Sequence, residues 1–591
     1  MQSSITFSQA LYSEIVSKGS LVEGENGALA QSATYSITNT KYSDEDYYGI
    51  LSEVFLLMRS DNTEKINRKL DKVNNVINTL DRVLEKEKYI DYMTKFIKIC
   101  LFMREPRKGK GEKKIFYDII IWFWKNYNNV GRFFINHLKD FGYFADLCNL
   151  YNLGENNNEI KKYLVEVYGN QLIKDRDVLL TNPSLISLAG KWAPREQSKY
   201  KQYALDITKK FFNKNKKEYR QLIVSLNKQL NVPEVNMCQK QWSSIDFKNV
   251  SSKALSHYTK AFQDITVNPF PKSKRKLKYI KDVRRHQKND SDYEDREKCR
   301  NNLQEHVEKG GKINSGVTDL SKIIEKYLHG LSEDMIWEAQ WTQRVNEIQE
   351  LLKNNNYKPS ILPMIDLSSS MTGDPMINAI TLGFFCSMLL DNPLNEPEAE
   401  YANMFLTFNT VPEIGKLPRL GTLYSKIKSL TDNGWMQKWG GTTDVQLAIK
   451  MILDIAIKHK ISKEKMPNVL AIFSDMQFNQ GDRKWNETSY ETMARKYMEN
   501  GYEIPHIIFW NLRADTNGYQ VLANTPNTTM LSGYSTRMMD LFLTSSIEEL
   551  KKEASIVKNE KTSPTTLSLM ENIYTHTMFD NFNDEIKQLF V

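Results

Sequence analysis

An apolar run that ends in a cluster of side-chain oxygens constrains the fold of this chain more than any other stretch. Residues 361–365 read Ile-Leu-Pro-Met-Ile, a pattern typical of a strand buried on both faces of a parallel sheet. Residues 366–370 follow directly and read Asp-Leu-Ser-Ser-Ser. A helix is predicted after Gly373, with Asp374 as its N-cap and Pro375 as its first residue. This order of strand, oxygen-rich turn and helix indicates a ligand site at the carboxyl end of an α/β sheet.

Two later stretches are predicted to reach the same edge of the sheet. Residues 468–475 form a second apolar run that ends in a carboxylate, and residues 439–444 form a glycine turn, Trp-Gly-Gly-Thr-Thr-Asp. Because the carboxyl ends of parallel strands meet at one edge, we expect polar side chains of all three loops to converge on a single ion. Carboxylate and hydroxyl oxygens suit Mg²⁺ or Mn²⁺ better than zinc. The candidate metal ligands are Asp366, Ser368, Ser370, Thr442 and Asp475.

The pattern Asp-x-Ser-x-Ser, then Gly-Gly-Thr, then a strand ending in Asp resembles the metal-ion-dependent adhesion site of von Willebrand factor A domains. The resemblance implies that the five candidates ligate the ion directly or through water. Thr442 is preferred over Thr443 because it directly follows the glycine pair. Two departures stand out: Met476 replaces the usual glycine after the last Asp, and Asp444 adds a negative charge. A capping turn would explain Asp-Leu-Ser-Ser-Ser alone, so the metal site depends on the combination of the three stretches.

Composition bounds the class of protein. The chain has 591 residues, enough for two to four domains, and its 40% apolar and 11% aromatic content allows a sizeable core. A net charge of +8 is mild for this length. Five scattered cysteines without a Cys-x-x-Cys pair favour reduced thiols, and so a cytoplasmic location. No signal peptide is recognised and no run approaches the ~20 apolar residues of a membrane span, so no membrane partner is expected.

The order of elements predicts a multidomain chain. Residues 1–43 are polar and form a partly extended arm, and residues 44–355 show helical apolar spacing almost throughout. A basic insertion interrupts the helical part at about residues 271–300. Paired helices over this length fit an α-solenoid, although no clean repeat period is found. Residues 356–591 alternate strands with helices, as in a doubly wound, Rossmann-like α/β domain.

A second resemblance rests on motifs in both halves. The chain resembles an uncharacterised family of plants, fungi and large DNA viruses, in which a helical part precedes an A domain and Met476 is ordinary. That family is remotely similar to the Ro (TROVE) ribonucleoprotein autoantigens, whose ring of HEAT-like repeats is closed by an A domain. The resemblance, over roughly residues 20–560, implies HEAT-like repeats, a von Willebrand factor A domain and an RNA partner. The motifs are residues 104–113, 142–147, 190–195, 236–242, 439–443 and 473–478.

Three basic segments are candidates for phosphate contacts. The first surrounds two glycines before an apolar helix, the second flanks Trp192, and the third is the dense run 271–288. Each has an alternative: the first would be a charged surface loop, Trp192 would be a core residue, and the acidic residues 290–295 would neutralise the run. The candidate nucleic-acid contacts are Arg107, Lys108, Lys110, Lys113, Lys191, Arg195, Lys274, Arg275 and Lys276.

These features together predict a non-catalytic protein. The sequence has neither a Gly-x-Ser-x-Gly elbow nor a His-Glu-x-x-His pair. The leading hypothesis is an RNA-binding protein of Ro-like architecture, for structured RNA or single-stranded ends, with Mg²⁺ or Mn²⁺ in its A domain. The alternative is a protein–protein scaffold that grips an acidic partner group through the metal. A viral structural or packaging component, located in the virion, is a third hypothesis.

Overall fold

The computed structural model describes most of the chain in sixteen segments. They are residues 21–23, 29–31, 44–59, 61–81, 86–154, 157–266, 283–286, 290–311, 313–315, 319–390, 401–408, 412–434, 445–476, 489–514, 521–555 and 564–590. Contacts between residues divide the chain into two compact units. Unit 1 comprises residues 1–103, 108–115 and 345–591, and unit 2 comprises residues 104–107 and 116–344. These units do not coincide with the ranges 44–355 and 356–591, which stay predictions as independently folding domains.

Ten strands lie in the described segments and form one large and two small sheets. The large sheet, in unit 1, has the order β10-β9-β8-β5-β6-β7. All its neighbouring strands are parallel except β6 and β7, so β7 is an antiparallel edge strand. The bounds are β1 Leu21–Glu23, β2 Leu29–Gln31, β3 Ile265–Thr266, β4 Val283–Arg284, β5 Ile361–Ile365, β6 Met404–Thr407, β7 Glu413–Lys416, β8 Val469–Ser474, β9 His506–Asn511 and β10 Thr528–Ser532. The prediction that strands and helices alternate in the C-terminal part of the chain, around a mostly parallel sheet, is therefore confirmed.

The central strands of the large sheet are apolar because both of their faces are covered. Every residue of β5 and β8 is buried. The helix Asp374–Met388 packs on β5, β6 and β8. A Cβ at Gly383 would lie 2.4 Å from Ile365 Cδ1, so a glycine is needed where the helix crosses β5. This helix starts at Asp374, and its N-cap is Gly373 with a φ of 97°. The prediction of Asp374 as N-cap is therefore wrong by one residue, because the turn requires a positive φ that glycine adopts without strain.

Along the chain, the remaining described helices of unit 1 occur before, between and after the strands of the large sheet. They are Asp44–Phe55, Thr63–Asp81, Leu423–Asp432, Val445–His459, Ser489–Glu499, Arg537–Ser555, Thr566–Tyr574 and Asn583–Gln588, and Lys86–Arg104 belongs to unit 1 up to residue 103. Helix Asp44–Phe55 packs on Thr63–Asp81 and on Thr566–Tyr574, and the latter also contacts β10. The first described helices therefore belong to the same compact unit as the large sheet.

Unit 2 is built from helices and one short strand pair. Its helices are Asn128–Asn136, Phe144–Leu153, Asn158–Thr181, Ala189–Trp192, Lys201–Phe211, Lys216–Gln229, Pro233–Cys238, Ser252–Phe262, Tyr293–Glu308 and Leu320–Leu328. The helix Lys114–Asn126 belongs to unit 2 from residue 116, and the helix Met335–Asn354 belongs to it up to residue 344. The long helix Asn158–Thr181 packs against Phe144–Leu153, Lys201–Phe211 and Lys216–Gln229. The helical character predicted for this part is confirmed, and a HEAT-like repeat stays a prediction.

The strand pair β3–β4 lies at the basic insertion and was not predicted. Thr266 pairs with Val283 in an antiparallel register, so the chain leaves and returns at neighbouring positions. Residues 267–282 lie outside the described segments. Two of the acidic residues that follow, Asp292 and Asp295, have partners among the described residues. Asp295 accepts hydrogen bonds from the Trp242 and Ser243 backbone amides at 2.6 and 3.0 Å, and an Asp292 carboxylate oxygen lies 3.8 Å from Lys240 Nζ.

Two general expectations can be compared with the described segments. All five cysteines are described, and none is in a disulfide; four are buried and Cys238 is exposed. Among the described residues, no helix is both long enough and apolar enough to cross a membrane.

Candidate metal site and aromatic face

The two predicted acidic ligands lie at the point where the sheet changes direction. Asp366 directly follows β5 and Asp475 directly follows β8, which is the parallel neighbour of β5. From β5 the chain proceeds to β6 on one side, and it later continues through β8 to β9 and β10 on the other side. Ligand sites of open α/β sheets lie at such switch points, outside the carboxyl ends of the strands. The fold therefore places both carboxylates where a ligand is expected.

Hydrogen bonds hold the Asp366 carboxylate in a fixed orientation. The side chain is fully buried, and its Oδ1 accepts the Ser368 backbone N–H at 2.9 Å. Its Oδ2 accepts the Ser474 hydroxyl at 2.6 Å. Ser368 Oγ and Ser370 Oγ lie 3.1 Å apart, so the two predicted hydroxyl ligands are neighbours. Ser474 was not predicted, although its place directly before Asp475 at the end of β8 is a signal that sequence reasoning could have used.

The electrostatics of the pair favour the arrival of a cation or a proton. Burial, together with the negative charge of Asp475, raises the pKa of Asp366 to about 7, and hydrogen bonds from Ser368 and Ser474 oppose this shift. Asp475 is also fully buried. Its Oδ2 lies 3.7 Å from Nη1 of Arg513, a partly exposed residue just after β9 that the sequence prediction missed. A buried pair of carboxylates is unfavourable unless positive charge compensates it.

The donor set fits a hard divalent cation. Asp366, Ser368, Ser370 and Asp475 are brought together at one sheet edge, whereas Thr442 lies outside the described residues. Within the described segments, no group of three or more His, Cys, Asp and Glu side chains is arranged to hold a metal. The predicted set has only two carboxylates, and its other donors are hydroxyls. Buried carboxylate and hydroxyl oxygens are the ligands that Mg²⁺ and Mn²⁺ prefer.

Met476 adopts a backbone conformation that glycine prefers. Its φ is 62°, and its N–H donates to Ser474 Oγ at 3.1 Å. A side chain at such a φ costs about 1–2 kcal/mol. Met476 therefore combines a backbone conformation typical of glycine with a methionine side chain.

Lys110 is not a phosphate contact, which corrects one of the predicted basic residues. It is 2% exposed, and its Nζ donates to Phe55 O at 2.7 Å, to Leu57 O at 2.6 Å and to Ser532 Oγ at 2.6 Å. Burial lowers the pKa of its ammonium to about 7, and the nearby Glu112 carboxylate acts against this shift. All three ammonium protons have acceptors inside unit 1, so none is available to a nucleic acid.

The other predicted basic residues are distributed between exposed and undescribed positions. Arg107, Lys108, Lys113 and Arg195 are exposed, and Lys191 is half-buried. Lys274, Arg275 and Lys276 lie outside the described residues. The structure therefore leaves five of the nine predicted side chains where solvent reaches them.

The segment around Trp192 is anchored through its backbone. Tyr168 donates its hydroxyl to Ala189 O at 2.9 Å, Asn227 donates to Gly190 O at 3.2 Å, and Tyr219 donates to Pro194 O at 2.7 Å. A Cβ at Gly190 would lie 2.6 Å from Leu226 Cβ, so glycine permits this close packing. The backbone of residues 189–194 is therefore held in place by two helices, Asn158–Thr181 and Lys216–Gln229.

The segment around Tyr143 is anchored by a buried carboxylate. Asp146 accepts the Tyr143 N–H at 2.7 Å and the Tyr117 hydroxyl at 2.5 Å, and it forms an ion pair with the buried Arg104. Residues 142–147 and 190–195 are thus two of the motif segments noted in the sequence, and each is fixed by its own hydrogen bonds. Their aromatic rings, Tyr143 and Trp192, lie with centroids 6.3 Å apart.

Comparisons with known proteins match both parts of the chain. Residues 360–577 match DUF7788 and residues 199–351 match DUF2828, each described as a domain of unknown function. The chain is 27% identical over 488 residues to "Uncharacterized protein L728" of Acanthamoeba polyphaga mimivirus, across 78% of this chain and 80% of that protein. No solved structure matches the chain. The chain is therefore similar to a protein of a large DNA virus, and the two matched domains fall on either side of residues 352–359.

Proposed function

We propose that this protein is a non-catalytic binding protein that holds Mg²⁺ or Mn²⁺ at a site of the von Willebrand factor A type. The ion would grip an acidic group of a protein partner. The buried pair Asp366 and Asp475 at the switch point of the sheet carries this proposal. Ser368 and Ser370 supply neutral oxygens beside the pair, and Thr442 is the proposed fifth ligand.

The arrangement favours adhesion over catalysis because the pair is buried and its neighbours are hydroxyls. Two neighbouring carboxylates in a poorly solvated place attract a divalent cation more strongly than exposed carboxylates do, because the cation relieves the repulsion that otherwise favours protonation of Asp366. The two carboxylates balance the charge of a bound divalent cation, and the open coordination position of the cation, together with the nearby Arg513 guanidinium, would accept a carboxylate from outside. The order of the sheet and its antiparallel edge strand support the comparison with A domains.

Metal binding by the purified full-length protein tests the proposal. Mn²⁺ titration monitored by calorimetry should give one site in wild type, and Asp366→Asn should weaken it at least tenfold. Asp454→Asn, in a surface ion pair with Lys450 on the helix Val445–His459, is the matched control and should bind as wild type. A glutamate-rich peptide should bind only in the presence of metal. If wild type binds no Mn²⁺, the proposed site is wrong.

A second candidate function is binding of RNA by the helical part, in an architecture similar to the Ro proteins. The observation that favours it is the half-buried Trp192, with the Lys191 ammonium 5.9 Å from its ring centroid. Aromatic rings beside cations are the typical contacts of single-stranded nucleic acids. RNA binding should weaken steeply with salt and should not respond to chelator. Metal-dependent adhesion should be abolished by chelator and should depend only weakly on salt.

A further inference from the structure

We propose that an aromatic and basic face of unit 2 binds single-stranded nucleic acid, with bases on two rings and phosphates on the surrounding cations. This inference deepens the RNA-binding candidate and rests on it. The face, called the Tyr143 face, consists of Tyr143, Trp192, Arg107, Lys191 and Lys253. Three motif segments that are distant in sequence, around residues 107, 143 and 191, meet there together with the helix Ser252–Phe262.

The two rings are placed for contact with bases. Tyr143 and Trp192 are both half-buried, so each is supported by the protein and still reaches solvent. Their planes are inclined by 46° at a centroid separation of 6.3 Å. The rings are therefore not stacked on each other, and each retains its own plane. Stacking of a base on an aromatic side chain requires an unpaired base, because a duplex hides the faces of its bases.

Cations surround the rings. Lys253 Nζ lies 4.9 Å from the Tyr143 ring centroid, and the Arg107 guanidinium lies 6.0 Å from it. Arg107 is 56% exposed, and Lys253 is exposed as well. Arg107 Nη1 is 3.6 Å from the carboxylate of the buried Glu105, and a phosphate would have to share the guanidinium with this carboxylate.

Arg104 has a different part in the same cluster. Its guanidinium lies 5.3 Å from the Tyr143 ring centroid, but it is fully buried and paired with Asp146. Asp146 also accepts the Tyr143 backbone N–H. Arg104 therefore positions the Tyr143 segment, while Arg107, Lys191 and Lys253 are the groups that a phosphate can approach.

The face is ordered before any ligand binds. Residues 189–194 have three backbone carbonyls held by Tyr168, Asn227 and Tyr219, and residue 143 is held by Asp146. Binding therefore requires little ordering of the backbone, which favours affinity. A phosphorylated peptide would use the cations but not the rings, so dependence on the rings distinguishes a nucleic acid from that partner.

The experiment measures binding of fluorescein-labelled 12-nucleotide oligouridylate to the full-length protein by anisotropy, between 50 and 200 mM salt. Trp192→Leu should weaken binding about 5- to 150-fold, as expected for loss of one stacked base. Trp192→Phe keeps a ring and should bind within a few-fold of wild type. Arg107→Gln with Lys253→Gln should reduce the slope of log affinity against log salt by about 1.4, which is two phosphate contacts. Lys309→Gln, a 73% exposed lysine elsewhere in unit 2, should leave the affinity unchanged.

The outcomes separate this face from RNA binding as such. If wild type binds the oligonucleotide and Trp192→Leu binds equally well, the Tyr143 face is wrong while RNA binding stands. If wild type binds no oligonucleotide at 50 mM salt, the Tyr143 face and RNA binding by the helical part are both wrong, while the proposed metal site still stands. Equal or tighter binding of a 12-base-pair RNA duplex would overturn the assignment to single strands. Capture of a phosphorylated peptide with the same dependence on Trp192 would overturn the assignment to nucleic acid.

Discussion

The ammonium of Lys110 donates to the hydroxyl of Ser532 at 2.6 Å, across 422 residues of sequence. Ser532 in turn donates to Leu56 O at 2.8 Å, so the last residue of β10 is tied both to the glycine–lysine segment and to the turn after the first described helix. A lysine that looks like a surface cation in the sequence is thus a buried connection between three distant segments of unit 1.

Replacement of Lys110 by methionine should destabilise unit 1. The substitution keeps the apolar stem but leaves Phe55 O and Leu57 O without the Lys110 donor, at a cost of about 1–3 kcal/mol for each buried acceptor. Relief of the buried charge offsets part of this, so we expect a net loss of about 2–4 kcal/mol. Lys108→Met, at an exposed position of the same loop, should change stability by less than about 0.5 kcal/mol. Equal urea midpoints for the two variants would contradict the structural role of Lys110.

The buried His506 should make the protein sensitive to acid. Its Nε2 lies 2.9 Å from Thr529 Oγ1, and burial lowers its pKa from 6.5 to about 3. Because the folded state binds this proton less readily than the unfolded state, the contribution of His506 is fully present above pH 6.5. This contribution is lost as the pH falls from 6.5 towards 3, and the loss of unfolding free energy is on the order of 4 kcal/mol.

The variant His506→Gln keeps a polar partner for Thr529 but does not titrate. Between pH 6.5 and 4, its unfolding free energy should therefore fall less steeply with decreasing pH than that of wild type. The difference in slope should correspond to the uptake of up to one proton on unfolding. Urea denaturation at a series of pH values measures this difference. The same slope in both proteins would show that the histidine is hydrated in solution.

The positive φ of Met476 predicts an order of stability for substitutions. Glycine relieves about 1–2 kcal/mol of backbone strain but loses about 0.5–1 kcal/mol through its freedom in the unfolded chain, so Met476→Gly should be slightly stabilising. Met476→Val places a β-branched residue at this φ and should destabilise by about 1–2 kcal/mol. Thermal denaturation orders the three proteins. A valine variant as stable as wild type would show that the backbone is not held at φ 62° in solution.

Arg513 should weaken metal binding because it lies beside Asp475. With 3.7 Å between Arg513 Nη1 and Asp475 Oδ2, its charge already compensates part of the carboxylate pair. Since about a third of the arginine is exposed, solvent screening reduces its effect to about 1 kcal/mol, or about fivefold in affinity. Arg513→Gln should therefore bind Mn²⁺ about fivefold more tightly in calorimetry. Arg495→Gln, on a surface helix, is the control, and weaker binding by Arg513→Gln would show that the arginine organises the carboxylates.

The strand pair β3–β4 predicts that the basic run can be removed without loss of the fold. Thr266 and Val283 are partners, so an Asn-Gly turn in place of residues 267–282 should close a two-residue hairpin. The melting temperature of this variant should stay within about 2 °C of wild type. Oligonucleotide binding by the same variant then measures the contribution of Lys274, Arg275 and Lys276 directly. A large fall in melting temperature would mean that the run packs against the rest of the protein.

The strands of unit 1 and the positions of Asp366 and Asp475 were predictable because their signals are local. Residues 361–365 match β5 in both bounds, and β8, Val469–Ser474, lies within the predicted run 468–475. Burial on both faces makes a strand continuously apolar, and a parallel sheet fixes the edge at which Asp366 and Asp475 lie. These features need no knowledge of other parts of the chain.

The missed features depend on distant contacts. Nothing in the sequence distinguishes Lys110 from Lys108, because its burial depends on carbonyls at residues 55 and 57 and on Ser532. Arg513 lies beside Asp475 only because β9 pairs with β8. Likewise, the proximity of Tyr143 to Trp192 follows from helix packing, although each motif was noted separately. The repeat architecture and the metal itself stay predictions.

The discontinuity of unit 1 has a consequence for biosynthesis. The last of its three segments, residues 345–591, is separated from residues 1–103 and 108–115 by almost the whole of unit 2, whose residues 104–107 and 116–344 are close to continuous. On the ribosome, unit 2 can therefore fold before β5 to β10 have been synthesised. Until then, the apolar residues of the first described helices lack the rest of unit 1. We expect nascent chains shorter than about 530 residues to expose these helices to chaperones, because β10, residues 528–532, has not been synthesised at that length.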